Sequence, residues 1–160
     1  MEFAHSHHQT AFEQVRVFLD ELFEDAYLNE DNGHTYVRYG STVLEISVDP
    51  YGPEEATVTV MSYCVQDVEV DEELLFGLLE LNHSLPVGAF SLVGQDIFFS
   101  HSIFGRTVER SNLLGLIAAV ANTADEYDDR IVARYGGVTA LEKIHETGGR
   151  GSRTESRSSS

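Results

Sequence analysis

The run from Asp71 to Leu81, DEELLFGLLEL, carries too many apolar residues for a helix resting on a single core. Asp71 is a good helix N-cap, and Glu72 and Glu73 put negative charge in the first turn, where the macrodipole favours it. At about 100° per residue, Leu74, Leu78 and Leu81 cluster on one side. Leu75, Leu79 and Phe76 then widen the apolar arc to roughly 220°, leaving Glu73, Gly77 and Glu80 as the polar face. A helix on one core needs a stripe little more than about 100° wide. Something other than its own sheet is therefore expected to cover the remainder. Asn82 and Pro86 are read as ending the helix.

The pattern then changes to period two. Phe90 and Leu92 share one face, and after Gly94-Gln95-Asp96 so do Ile97, Phe99, His101 and Ile103. This is a β-hairpin, with Val93 and Phe98 blurring the alternation. Ahead of the helix, Phe12, Val15, Leu19, Leu22 and Ala26 recur at helical spacing behind a Thr10–Glu13 capping box, and that helix ends near Tyr27. Three strands follow: Tyr36–Tyr39; a strand with Leu44, Ile46 and Val48 on its dry face; and the long Val- and Thr-rich run Ala56–Val65. Gly40-Ser41 and Asp49–Pro53 punctuate them. Beyond the hairpin, Thr107 is the expected N-cap of a long helix with Leu113, Ile117, Val120, Ala121, Ala124, Ile131 and Tyr135 in one stripe, stopped by Gly136-Gly137. Val138–His145 would add a short last helix.

The order is α-β-β-β-α-β-β-α. Hairpin-linked strands broken by helices argue for an α+β fold of two layers, an antiparallel sheet with helices packed on one face. The chain of 160 residues fits one domain, residues 10–146, between a loose polar N-terminus, 1–9, and a disordered Gly/Ser/Arg tail, 147–160.

A net charge of −17 repels phosphate backbones and anionic membranes, so neither nucleic acid nor membrane is an expected partner. The lone Cys64 lies in a strand pattern and reads as a buried core thiol of a cytoplasmic protein. His5, His7 and His8 form a histidine-rich start without a neighbouring thiol or carboxylate ligand. Asn29–Gly33 and the Asp125, Asp128, Asp129 cluster suggest an alternative, an acidic calcium-binding regulatory protein, although the calcium-loop spacing is absent. Asp128, at the edge of the stripe, is expected to pair with Arg134 or with backbone.

No phosphate-binding loop, nucleophile elbow or zinc-protease motif is present. His101 could serve a small hydrolase as a general base, but no partner or orienting group is identifiable. The chain reads as a non-enzyme with no cofactor and no metal.

Leu78-Leu79-Glu80-Leu81-Asn82, Gly88-Ala89-Phe90, the hairpin through His101, and Ala124-Asp125 with Asp128-Asp129 and Gly136-Gly137 resemble the YbjN-domain family. That family is similar in fold to the class I type III secretion chaperones. The resemblance spans residues 10–137. It implies a small acidic two-layer protein, often dimeric, that binds other proteins or acts in bacterial regulation, and it offers no catalytic residues to carry over. Resemblance and helix geometry together lead to a protein-binding, chaperone-like homodimer that takes a protein or peptide partner, with Leu75, Phe76 and Leu79 as the docking or dimerisation residues.

Overall fold

The run from Glu55 to Gln66 is the spine of the sheet. Alternate residues Ala56, Val58, Val60, Ser62 and Cys64 are all buried on one face. The computed structural model describes residues 1–139. Its elements are α1 (Ser6–Leu22), β1 (Tyr27–Asn29), β2 (His34–Tyr39), β3 (Thr42–Tyr51), β4 (Glu55–Gln66), α2 (Glu72–Ser84), β5 (Ala89–Val93), β6 (Asp96–Phe104), a single 3₁₀ turn (Gly105–Thr107), α3 (Arg110–Tyr135) and β7 (Val138–Thr139). The strands form one antiparallel sheet in the order β1-β2-β3-β4-β6-β5, with β7 paired to the end of β4. Helices α1 and α3 pack on the face that carries Leu44, Ile46, Val58, Val60, Ile97 and Phe99, so the expected α+β two-layer arrangement is present.

Several local expectations are corrected. Helix α1 begins at Ser6, not Thr10, so residues 6–9 of the N-terminus expected to be loose are helical. His5 is the cap: its Nδ1 accepts the His8 N–H at 3.1 Å. The helix stops at Leu22, and Tyr27, expected to close it, opens β1 instead. The long helix α3 is capped at Glu109 by a capping box with Asn112, while Thr107 belongs to the 3₁₀ turn before it. Val138 and Thr139 pair with Gln66 and Val65 as a strand rather than starting a helix. The remainder of that segment and the tail 147–160 lie outside the described residues.

The histidine start has a structural use. Strand β2 covers the outer edge of β3 only as far as Ile46. Beyond it, Val48 turns its carbonyl outward, and His8 Nε2 meets that oxygen at 3.0 Å. His5 Nε2 does the same to Gly52 O at 3.0 Å. Each ring's Nδ1 accepts a backbone N–H, from His8 for His5 and from Ala4 for His8, so each Nε2 is the donor. Pro50 sits two residues on from Val48. Its missing N–H therefore faces the same strand-free edge, where proline is tolerated.

The opposite edge is managed from α2. Asn82 does not break the helix. Its side-chain amide donates to Phe90 O at 3.0 Å and its oxygen accepts Phe90 N–H at 2.7 Å, imitating a strand partner for β5. Asp71 caps α2 as expected, accepting from Leu74 N at 2.8 Å. The far side of α2 is tied to α3 by the Arg134–Glu73 ion pair and by the Tyr135 hydroxyl donating to Glu73 O.

Two outcomes follow from this packing. Asn82→Ala leaves the outward N–H and C=O of Phe90 without a partner, so urea denaturation should show a loss of about 1–2 kcal/mol at unchanged m-value. Cys64, buried and donating to Ala124 O at 3.6 Å, has its thiol pKa pushed up to about 12, chiefly by burial and secondarily by the Asp128 charge. The folded state therefore keeps the proton that the unfolded thiol releases. The associated stability is complete below about 9.0 and is lost as pH rises toward about 12. At pH 8 an aromatic disulfide reagent should label Cys64 only after denaturant is added; rapid labelling of the native protein would contradict the burial argument.

Candidate functional site

Helix α2 buries one face and leaves the other bare. Leu74 and Leu78 enter the core, and Leu81 packs partly against it. Leu75 is 40% exposed, Phe76 64% and Leu79 65%. Leu75 and Leu79 lie one turn apart and Phe76 lies beside them, so the three share one surface, bordered by Glu72 and Glu80. This is the part of the apolar arc that the sheet cannot reach.

A second surface escaped the sequence reading. The sheet has helices on one face only, so residues alternating with the core point to the open side. In a protein of this charge that side should be uniformly polar. One corner of it is instead aromatic, with Tyr27 opposite Tyr36, and Tyr63 opposite Phe98 with ring centroids 4.7 Å apart. A second aromatic pair, Tyr51 and Phe104, stands at the far end with centroids at 5.5 Å. Between them the face is polar, with the Thr59 and Ser102 hydroxyls hydrogen-bonded at 2.7 Å. The signal was available as Met61, Tyr63, Val93 and Phe98, apolar residues at positions that should be wet.

Within the aromatic corner sits an acid. Glu45 lies on the open side of β3, opposite Tyr36 on one neighbour and Met61 on the other, yet is only 7% exposed. Its Oε1 accepts from His34 Nδ1 and, at 3.2 Å, from the Tyr36 hydroxyl. Its Oε2 is buried without a hydrogen-bond partner among the described residues. Burial first, and then the nearby Glu45 charge, raise the Tyr63 phenol above its usual pKa. Burial raises Tyr36 too, against a hydrogen bond from Asn32, with Glu45 adding to the rise.

The other chemical candidates are occupied structurally. His101 is half-buried on the core side of β6, and its Nδ1 accepts the Gly88 N–H at 3.0 Å. Gly88 holds φ +81°, and a side chain there would run into the Phe99 ring, so His101 fixes a turn that only glycine fits. In the 29–33 loop, Asn29 and Asn32 spend their side-chain oxygens on the N–H groups of Asp31 and His34, as a solvated turn does. Of the two partners expected for Asp128 the backbone is found: it accepts the Asp129 N–H at 2.6 Å, while Arg134 pairs with Glu73. Among the described residues no group of three or more His, Cys, Asp or Glu could hold a metal ion. Nor is any described helix long and apolar enough to cross a membrane.

Residues 9–143 match the family described as TY-Chap1, "T3SS (YopN, CesT) and YbjN peptide-binding chaperone 1". Two solved structures share the fold. One is the "Crystal Structure of the ExsC-ExsE Complex", with TM-score 0.60 and 10% identity, covering 77% of this chain and 94% of that one. The other is the "Structure of the HopA1-SchA Chaperone-Effector Complex", with TM-score 0.58 and 14% identity, covering 76% and 96%. No curated protein matches in sequence. The family match takes in every strand and helix described above apart from the first turn of α1, and the chain belongs to the TY-Chap1 family of peptide-binding chaperones.

Proposed function

We propose that this protein is a non-enzymatic chaperone that holds an extended segment of another protein, and that it works as a homodimer joined through α2. The observation that carries the reading is the bare face of α2. Three large apolar side chains, Leu75, Phe76 and Leu79, stand in solvent on a helix whose other face is firmly packed. A second copy is the simplest cover, because a two-fold axis lets one such patch meet itself. The peptide-binding family, and the fold shared with a chaperone–effector complex, support protein binding as the activity. The aromatic corner of the open sheet face, with Tyr27, Tyr36, Tyr63 and Phe98, is then the surface for the bound segment. Its rings give a large contact area at little entropic cost.

Two tests separate the parts of this reading. Light scattering at tens of micromolar should return a mass near twice 17.8 kDa. Leu75→Glu with Leu79→Glu should return the monomer with an unchanged circular dichroism spectrum. Dimerisation should also strengthen with salt, which screens repulsion between two chains of charge −17. A wild-type monomer, or a double variant that still dimerises, would remove α2 as the interface. Separately, Tyr63→Ala with Phe98→Ala should lower capture of extended peptides from a displayed library by about tenfold or more, while leaving the mass unchanged.

A further inference from the structure

We infer that the buried Glu45 carboxylate is a cation subsite that receives one arginine or lysine side chain of the bound segment. The inference rests on the peptide-binding reading above and adds what that peptide must contain.

The geometry is that of a buried anion left short of positive charge. Glu45 is buried on a sheet face that carries no helix, so it is enclosed by its own neighbours, Tyr36, Met61, Tyr63 and His34. Among the described residues its one ion-pair partner is His34. Arg38 lies on the same face one rung along β2 and makes no ion pair with Glu45 among the described residues. Oε1 accepts two hydrogen bonds, while Oε2 has no partner within hydrogen-bond distance among the described residues, the Tyr63 hydroxyl interacting with the same carboxylate more weakly. A carboxylate kept under aromatic rings with one oxygen short of a hydrogen-bond partner is costly as a purely structural feature. It is well suited to a visiting cation. A guanidinium or ammonium group would take a charge-assisted bond from Oε2 and lie against the electron-rich faces of Tyr36 and Tyr63. Tyr63, at 37% exposed, is the most exposed of the four neighbours and the wall that must swing aside to admit the cation. The −17 charge of the chain draws a basic segment toward the surface, and Glu45 gives that attraction a fixed address.

The probe is a short synthetic peptide of alternating valine and serine with one central arginine, compared by calorimetry with the same peptide carrying citrulline. Wild-type protein should prefer arginine by about tenfold. Glu45→Gln, which keeps the shape and removes the charge, should abolish the preference and leave the citrulline affinity intact. Asp49→Asn removes an equal charge from the same sheet face away from Glu45 and should change nothing. If Glu45→Gln keeps the preference, or Asp49→Asn loses as much of it, general acidity is responsible and the subsite is overturned. If neither peptide binds, the peptide-binding reading of this face falls and takes the subsite with it. Should Glu45→Gln not fold, wild-type Tyr36 and Tyr63 ring resonances still decide: they should shift with the arginine peptide and stay put with citrulline. If Glu45→Gln, without any peptide, shifts the guanidinium signals of Arg150, Arg153 and Arg157, the occupant is the chain's own tail, and the assignment to a partner peptide is wrong.

Discussion

The sheet is covered on one side only. Strand β4 is paired along both edges, and its inward side chains are nearly all excluded from water, which fixes the register of β3 and β6 against it. A slip of one residue in either neighbour would turn Leu44 and Ile46, or Ile97 and Phe99, out of the core. Helices α1 and α3 are enough to seal that face. Helix α2 packs at the β5 margin, where only Leu74, Leu78 and part of Leu81 reach the core. The exposed apolar arc of α2 is thus a consequence of the layer arrangement as much as of its own sequence.

An open sheet with uncovered edges invites pairing with other chains. Here side chains meet that hazard at chosen points. On the β3 side the imidazoles of His5 and His8 satisfy the carbonyls that β2 is too short to reach. On the β5 side Asn82 supplies a donor and an acceptor to one residue of the strand. Both devices join an edge strand to a helix, so they fix the helix as well as protecting the strand. The start of α1 and the end of α2 are defined by what the sheet edges lack.

Much of the fold was legible because burial imposes a period. The stripe of α3 from Leu113 to Ile131, the dry positions of β3 and β4, and the β5–β6 hairpin all follow from spacing alone. The Asp71 cap was legible because its side chain bonds locally. What escaped notice depends on distant contacts. Thr10 and Glu13 have the form of a capping box, yet the helix starts earlier because Val48 and Gly52, some forty residues away, hold His8 and His5. Strand β1 exists only by pairing with β2, and β7 only by pairing with β4. At the candidate site, the α2 residues could be found from the helical wheel. Glu45 could not, because a glutamate on the wet side of a strand looks ordinary until the burial of its neighbours is known.

The two surfaces differ in what they ask of a partner. The α2 patch is aliphatic with Phe76 beside the two leucines, and acids border it. A self-associating partner brings the same acids, so its charge opposes the contact and only apolar burial favours it. The aromatic corner is mixed: rings provide area, hydroxyls lie within reach across the sheet, and a carboxylate lies at its floor. An extended segment with apolar and polar residues alternating, and a cation at one position, would satisfy that mixture, whereas a second copy of this acidic chain would not. Under the proposed reading, charge divides the work between the surfaces. Repulsion weakens homotypic contact everywhere but is outweighed most easily where no buried charge has to be matched, on α2. Attraction favours a basic peptide where a buried negative charge is waiting, beside Glu45.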